Sequence, residues 1–284
     1  MPEGPEIRRE ADALSRALRG RPLRRVDYRV RGLGRRARRL EGAVVTRAWS
    51  QGKALLIAFD RGLVHYSHNQ LYGRWRVVDA DDDPGEARAI RVVLATDRRA
   101  AILYSATEIE LLAPDEIGAH RFLSRLGPDA LDRATTPARV AARLADARFA
   151  RTSLGHLLLD QRFVAGLGNY LRSDILHVAG LRAGDRPADL DAAAIATLAQ
   201  AIVALPRQSY RTAGVTNDPV RAERLAARGV PFEDRRFLVY GREGGPCWTC
   251  GTAIRRVDAA GRGWFFCPRC QPARRRRATR AAPA

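Results

Sequence analysis

The sequence lacks the features that insert a protein into a membrane or direct it out of the cell. No run of apolar residues approaches the ~18 needed to cross a bilayer. The first six residues, Met-Pro-Glu-Gly-Pro-Glu, carry acids where a secretory signal carries bases. With 284 residues, 46% of them hydrophobic and 29% charged, the chain is long enough for two globular domains. We therefore expect a cytoplasmic protein.

Lysine is almost absent from a chain that is rich in positive charge. Lysine and arginine together number 50, and only Lys53 is lysine. If arginine serves wherever a positive charge suffices, the one retained lysine marks a site where a guanidinium would not serve. Lysine can lose its proton and carries a compact charge on a slim stem. Chance retention is the alternative.

The positive charge is concentrated at the two ends of the chain. Residues 1–40 hold thirteen Arg and five acids, a net +8, and residues 241–284 hold ten Arg and two acids, again +8. Of the overall +19, only +3 remains for the residues between these segments. Two basic segments favour a polyanionic partner such as nucleic acid. Solvated charge in an arginine-rich chain is the alternative.

Hydrophobic periodicity separates a β-rich part from a helical part, which predicts an α+β fold with two domains. Helical spacing of apolar residues predicts a helix over 5–19, and short apolar runs predict strands between 23 and 112. Later helices are predicted over 154–160, 169–178 and 192–205. The predicted domains are residues 1–125, a linker over 126–135, a helical domain over 136–230, a cysteine-rich module over 231–271 and a disordered Arg-rich tail over 272–284.

The four cysteines follow the spacing of a metal site. Cys247, Cys250, Cys267 and Cys270 form a C-x2-C-x16-C-x2-C pattern within 24 residues. Each pair can place two thiolates on one tetrahedral ion, and a β-hairpin fits between the pairs. Disulfides are disfavoured in a reducing cytoplasm; an iron–sulfur cluster or a redox dithiol is the remaining alternative. We predict one structural zinc ion. Because four protein ligands leave no open coordination position, the ion should take no direct part in catalysis.

Five separated motifs then occur in an order that matches one family. They are the first six residues, Gln51-Gly52-Lys53, residues 68–73 (His-Asn-Gln-Leu-Tyr-Gly), residues 166–170 (Gly-Leu-Gly-Asn-Tyr) and the four-cysteine module. Over residues 1–271 the chain resembles the formamidopyrimidine-DNA glycosylase/endonuclease VIII family. The resemblance implies an N-terminal β-sandwich opened by a helix, a helix–two-turn–helix domain and a zinc-finger β-hairpin. Formamidopyrimidine-type enzymes use a methionine to fill the DNA stack, and no Met follows position 1 here, which favours the endonuclease VIII branch and oxidised pyrimidines.

The resemblance implies a bifunctional DNA glycosylase/AP lyase of base excision repair, with its chemistry centred on Pro2. Removal of Met1 leaves Pro2 with a secondary amine, and an α-amino pKa near ~8 gives a usable neutral fraction. Attack on the sugar C1′ expels the base, and the resulting iminium favours β,δ-elimination. The resemblance makes Glu3 the proton donor that opens the sugar ring. Lys53 then contacts a phosphate and assists proton transfer, and Arg262 is the finger arginine associated with δ-elimination.

The resemblance also implies the residues that open the duplex. Gln70, Leu71 and Tyr72 correspond to the family's wedge, which fills the space left by a flipped nucleotide. Ordinary core packing at a strand turn is the alternative for Leu71 and Tyr72. Proline at position 2 has an alternative too, since on its own it would only govern removal of Met1.

Other DNA contacts are implied at the start of a helix. Asn169 and Tyr170 follow a Gly-rich turn, where backbone amides and an amide side chain can bind phosphate. Arg125 matches a further DNA-contacting position. We expect the partner to be double-stranded DNA with an oxidised base or an abasic site, bound by a monomer.

A non-catalytic, zinc-containing DNA-binding protein on the same scaffold is the rival interpretation. Such a binding protein would have the same basic ends, cysteines and Gly-rich turn as the enzyme. Pro2, Glu3 and the single Lys53 fit only the enzyme.

Overall fold

The computed structural model describes residues 2–82 and 88–274 and divides the chain into two compact units. Unit 1 is Met1–Leu126 and unit 2 is Gly127–Ala284. Of the predicted Arg-rich tail, residues 275–284 lie outside the described residues. No helix within the described ranges is long and apolar enough to span a membrane.

Unit 1 contains two four-stranded sheets preceded by a long helix, α1 (Gly4–Leu18). Its strands are β1 (Arg25–Tyr28), β2 (Val45–Gln51), β3 (Ala54–Phe59), β4 (Leu63–His68), β5 (Arg74–Asp79), β6 (Ile90–Ala95), β7 (Arg99–Tyr104) and β8 (Glu108–Leu112). Two short helices are α2 (Gly34–Arg38) and α3 (Pro114–Ala119). The strand orders are β1-β6-β7-β5 and β2-β3-β4-β8, and all neighbours are antiparallel.

The two sheets and α1 share one apolar core. Alternate side chains of β3, such as Leu55 and Ile57, pack in the same buried cluster as Leu94 and Leu103 of the other sheet. The apolar stripe of α1, including Leu14, joins this cluster. Unit 1 is therefore a β-sandwich that opens with a helix, and the predicted fold class is confirmed.

Unit 2 is helical and ends in a β-hairpin. Its helices are α4 (Pro137–Ala145), α5 (Ala147–Ala150), α6 (Leu154–Leu157), α7 (Asn169–Val178), α8 (Ala192–Arg211), α9 (Pro219–Ala227) and α10 (Phe232–Arg235). The hairpin pairs β9 (Arg255–Ala259) with β10 (Arg262–Phe266).

Two helices of unit 2 end at residues that differ from the prediction. The helix predicted over 154–160 is assigned to Leu154–Leu157, helical hydrogen bonding continues to Asp160, and a turn then begins where the Asp160 side chain accepts the backbone N–H of Arg162 at 2.9 Å. The helix predicted to end at residue 205 continues through Pro206 to Arg211. Its last turn is held by the side chain of Gln208, which donates to the carbonyl of Asn217 at 2.7 Å. Tertiary contacts here outweigh the helix-breaking tendency of proline.

A buried carboxylate on α7 holds the chain segment that leads into the cysteine-rich module. Asp174 is fully buried, and its carboxylate accepts a hydrogen bond from the hydroxyl of Thr216. It accepts three successive backbone N–H groups, from Leu238, Val239 and Tyr240, at 2.9, 2.9 and 3.1 Å. A buried charge is tolerated where hydrogen bonds surround it. This carboxylate therefore fixes the path of residues 238–240 against α7.

Replacing Asp174 by Asn should destabilise unit 2, because an amide turns one acceptor oxygen into a donor that faces another donor. We expect the free energy of unfolding to fall by about 3 kcal/mol. Faster hydrogen exchange at residues 238–240 should accompany the loss. The matched control is Glu223→Gln on the exposed side of α9, which should change stability by less than about 0.5 kcal/mol. Equal stability of the two variants would contradict this assignment.

Candidate active site and metal centre

The first residues of the chain are held at the start of α1. Pro2 precedes Glu3, which is only 3% exposed and comes directly before the helix. The Glu3 backbone N–H donates to Oε2 of Glu6 at 3.0 Å, so Glu6 caps the helix. One residue further, Ile7 is buried in the core. Pro2 is thus attached to a well-anchored residue.

The lysine and the predicted wedge lie at one edge of the sheet β2-β3-β4-β8. Across this edge, Gln51 is paired with Ala54, Ala54 with His68, and His68 with Glu108. Lys53 occupies the turn between β2 and β3, and the loop with the wedge residues follows His68 directly. Both features therefore project from the same end of the sheet.

Two hydrogen bonds hold α1 against this edge. Arg8 Nε donates to Ser50 Oγ at 2.9 Å, and Asn69 Nδ2 donates to Glu10 Oε2 at 2.7 Å. Ser50 lies just before the Lys53 turn, whereas Asn69 begins the loop after β4. Unit 1 consequently brings the first half of α1, the lysine turn and the wedge loop to one edge.

The positive charge of Lys53 acts on a neighbouring imidazole. Burial lowers the pKa of His68, the charge of Lys53 lowers it further, and Glu108 opposes both. The neutral ring accepts the backbone N–H of Gln70 at its Nδ1, at 3.2 Å. His68 thereby links the lysine turn to the first wedge residue.

The wedge loop presents two large apolar side chains to solvent. Leu71 is 52% exposed and Tyr72 is 69% exposed, which excludes core packing as their role. Gln70 has a φ of 48°, an uncommon conformation for a residue other than glycine. Two side-chain hydrogen bonds at 2.7 Å fix it, one donated by Gln70 to Glu108 and one accepted from Thr107. The loop is therefore shaped to expose Leu71 and Tyr72.

Arg125 lies near the end of unit 1. It is the last residue of a short 3-10 turn, Leu123–Arg125, and its side chain is exposed. Its backbone N–H donates to the carbonyl of Phe122 at 3.3 Å. The position leaves the guanidinium at the protein surface.

In unit 2, the Gly-rich turn before α7 is held by one side chain. Gln161 accepts the backbone N–H of Gly166 at 3.0 Å and donates to the carbonyl of Leu167 at 2.9 Å. Gly166 has a φ of 94°, which favours glycine. The turn leads into the backbone amides at the start of α7, an arrangement that suits phosphate.

The structure brings Asn169 and Arg262 together through the buried Arg172. Asn169 Nδ2 donates to the carbonyl of Gly263 at 3.0 Å, and its Oδ1 accepts from Arg172 at 2.6 Å. Arg172 also donates to the carbonyls of Ala259 and Arg262, at 2.9 and 3.3 Å. The hairpin turn is thus fixed to the start of α7, and the exposed side chain of Arg262 lies next to it.

The side chain of Tyr170 lies in the core, so a DNA contact at this position would be made by its backbone amide. Its side chain is 4% exposed, and its hydroxyl lies 2.9 Å from Ser209 Oγ. Its ring packs against those of Phe237 and Tyr240, with centroids 5.1 and 6.3 Å apart. The side chain therefore supports α7 from within, and only its backbone faces the helix start.

The four cysteines form a candidate metal centre. Their sulfurs all lie within 4.8 Å of one another. The Cys247–Cys270, Cys250–Cys270 and Cys250–Cys267 sulfur distances are 3.8, 3.5 and 3.4 Å. Sulfurs about 2.3 Å from a tetrahedral zinc ion lie about 3.8 Å apart, so the four thiols fit one zinc ion.

The surroundings of the thiols also suit a cation. The backbone N–H of Thr249 donates to the sulfur of Cys247, and that of Cys270 donates to the sulfur of Cys267, both at 3.4 Å. Hydrogen bonds from Thr252 lower the pKa of Cys250 to about 6, whereas burial raises the pKa values of Cys267 and Cys270. Donors to sulfur stabilise the thiolates that zinc requires.

Three functional or anchoring residues were not predicted from the sequence. Glu10 lies three residues after the buried Ile7, on the side of α1 that packs inward, and Arg172 and Asp174 lie within the buried helix α7. A charged residue inside an apolar helical pattern was the available signal. Each proves to hold a partner more than forty residues away in sequence.

Three family models match successive parts of the chain. The formamidopyrimidine-DNA glycosylase N-terminal domain matches residues 1–107, and the formamidopyrimidine-DNA glycosylase H2TH domain matches residues 126–218. A zinc finger found in FPG and IleRS matches residues 244–273.

Solved structures with this fold include Lactococcus lactis Fpg in complex with DNA. A complex with abasic-site DNA superimposes with a TM-score of 0.79 at 22% identity, over 95% of this chain and 100% of that one. A complex with DNA that contains an oxidised pyrimidine gives a TM-score of 0.80 at 21% identity, over 96% and 100% of the two chains. At these identities, the similarity establishes the fold.

Full-length relatives establish more than the fold. An Endonuclease 8 of Escherichia coli is 45% identical over 271 residues, which are 95% of this chain and 100% of that protein. Endonuclease 8 of Salmonella schwarzengrund is 44% identical over the same shares of the two chains. The chain therefore belongs to the formamidopyrimidine-DNA glycosylase/endonuclease VIII family.

Proposed function

We propose that this protein is a bifunctional DNA glycosylase/AP lyase of base excision repair. The observation that carries the proposal is that helix α1, the turn with the single lysine and the exposed wedge loop meet at one sheet edge. Relatives called Endonuclease 8, and related structures bound to abasic-site DNA, support the same activity.

The reaction begins at the nitrogen of Pro2, which becomes a secondary amine when Met1 is removed. Its lone pair attacks C1′ of the damaged nucleotide, and the base leaves with the electron pair of the glycosidic bond. The Pro2 nitrogen then loses its proton to solvent, Glu3 protonates the ring oxygen, and the nitrogen lone pair opens the sugar to an iminium. Glu3 suits this role because its carboxyl is buried at the helix start next to Pro2.

Strand cleavage follows from the positive charge of the iminium. Loss of a proton from C2′ supplies electrons that expel the 3′ phosphate, and a second elimination expels the 5′ phosphate. Water then hydrolyses the imine and restores Pro2. Lys53 contacts the phosphate next to the lesion and assists proton transfer, and the exposed Arg262 neutralises the departing phosphate.

The DNA contacts are made by both units. Leu71 and Tyr72 fill the stack when the nucleotide flips out, with Gln70 beside them, while the amides at the start of α7, Asn169 and Arg125 bind phosphates. The absence of methionine from the wedge favours oxidised pyrimidines as substrates. We further propose that the protein acts as a monomer in the cytoplasm.

Zinc has a structural role in this scheme. When bound, it joins the two cysteine pairs that flank the β9–β10 hairpin. The ion would thereby support the hairpin that carries Arg262. With four protein ligands it would take no part in bond making.

The first prediction concerns Pro2. Borohydride should trap the processed protein covalently on an abasic-site duplex, because it reduces the iminium. Pro2→Gly should weaken the adduct, and so should retention of Met1, since the Pro2 nitrogen is then an amide. Affinity for a duplex with a stable abasic analogue should be nearly unchanged in both proteins. If processed wild-type protein binds this duplex but yields no adduct, the chain is the non-catalytic DNA-binding protein instead.

The second prediction concerns Lys53. Lys53→Arg keeps the charge but introduces a bulkier group that does not lose its proton. We expect base release to slow by about 100-fold with little change in duplex affinity. The control is Arg61→Lys, in the β3–β4 turn at the opposite end of the same sheet, which should remain fully active. An active Lys53→Arg protein would mean that this lysine was retained by chance.

The third prediction concerns the metal. Atomic absorption should find one zinc ion per chain, and Cys250→Ser should lose it together with affinity for duplex DNA, because the hairpin with Arg262 is no longer fixed. Thr249→Ser, between the first two cysteines, should retain both. A zinc content near zero in active wild-type protein would refute the metal assignment.

A further inference from the structure

Beneath the wedge loop lies a carboxylate for which the proposed chemistry has no use. Glu10 is on α1, one turn after Glu6. Its Oε2 accepts from the side-chain amide of Asn69 at 2.7 Å, and its carboxylate also accepts the backbone N–H of Trp75. Asn69 is the residue before the wedge residues, and Trp75 is the second residue of β5 after them. A single carboxylate thus fastens both ends of the loop.

The loop between these two anchors is short and tightly closed. The backbone N–H of Gly73 donates to the carbonyl of Asn69 at 2.7 Å. A Cβ at Gly73 would lie only 2.6 Å from that carbonyl oxygen, so residue 73 must be glycine for the loop to close. Asn69 itself is 1% exposed. The loop closes on the backbone carbonyl of Asn69. A contact that fixes the Asn69 side chain therefore also fixes the direction in which Leu71 and Tyr72 project.

Burial makes the ionised form of Glu10 less favourable in the folded protein than in water. Burial raises its pKa from 4.5 to about 7; its hydrogen bond from Asn69 and the charge of Arg74 act in the lowering direction, and Glu6 adds to the rise. Arg9 lines the same surface cavity as Glu6 and Glu10. A carboxyl whose pKa is raised by folding contributes its full stability below pH 4.5 and loses it as the pH rises through 7. At neutral pH and above, desolvation of the carboxylate therefore offsets part of what its hydrogen bonds contribute to stability.

We propose that Glu10 is a positioning residue for the wedge, and this rests on the function proposed above. By holding Asn69 and the N–H of Trp75, it keeps the loop in the conformation that inserts Leu71 and Tyr72 into the stack. It also attaches this loop to the helix whose first residues carry the nucleophile. Fixing the loop beforehand lowers the entropy lost when the wedge enters DNA.

The test compares two substrates that differ in their need for the wedge. Borohydride trapping is measured on an abasic site within a duplex, where the stack must be filled, and on the same site in single-stranded DNA, where it need not be. Glu10→Ala should slow adduct formation on the duplex by about tenfold and leave the single-stranded rate nearly unchanged. Glu10→Gln keeps one acceptor oxygen and should give a smaller loss with the same selectivity. Glu41→Gln, an exposed acid between α2 and β2, is the charge-matched control and should behave as wild type.

Two further measurements separate positioning from a general loss of structure. The Tm of Glu10→Gln at pH 8 should stay close to that of wild type, because loss of one acceptor oxygen offsets removal of a half-buried charge. The fluorescence of 2-aminopurine placed beside a stable abasic analogue in the duplex should change less with Glu10→Ala than with wild type, because the wedge then enters less often. If Glu10→Ala does not fold, Glu10→Gln carries the comparison alone.

The proposal is overturned if the Glu10 variants lose activity equally on both substrates, or if the ratio of duplex to single-stranded rates stays at the wild-type value. Failure of the proposed function would look different, since wild-type protein would then form no adduct on either substrate.

Discussion

The nucleophile proposed here lies at the chain terminus, which is the part of a protein that most often frays. In this chain the terminus is fixed because α1 begins at Gly4 and buries its apolar stripe in the core of the sandwich. Glu3 is buried at the helix start, and Glu6 caps its backbone. The contacts of Arg8 and Glu10 then hold the helix at the edge where Lys53 and the wedge project. Without this anchoring, a secondary amine would have no defined place.

In unit 2, buried charged side chains help to hold the β9–β10 hairpin and the segment before it in place. The two-stranded hairpin is too small to have a core of its own, so it packs Trp264 and Phe266 into the core of unit 2 and is also held by α7 and the four-cysteine module. Arg172 reaches three carbonyls of the hairpin, and Asp174 holds the segment that leads into the metal module. Charged groups of this kind are costly to bury unless every contact is made. Because Arg172 and Asp174 need all their hydrogen bonds to stay intact, they hold Arg262 and Asn169 in fixed positions.

Elements with a strong local pattern could be predicted from the sequence. Helix α7 has the predicted ends, strands β1 to β8 lie within the predicted interval 23–112, and the cysteine spacing identified the metal centre. The end of α8 could not be predicted, because Gln208 and the following loop override Pro206. The burial of Tyr170 depends on aromatic rings about seventy residues later, and the role of Glu10 on an asparagine 59 residues away. Contacts between residues so far apart in sequence leave no signal in a local sequence pattern.

The composition makes the central claim unusually easy to test. Once Met1 is removed, the chain has only two kinds of amine that could form an imine with a sugar, the nitrogen of Pro2 and the Nζ of Lys53. The deciding measurement is therefore mass spectrometry of peptides from the borohydride-trapped complex. The account predicts that the reduced sugar is attached to the peptide that begins with Pro2. Attachment to the peptide that contains Lys53 would contradict it.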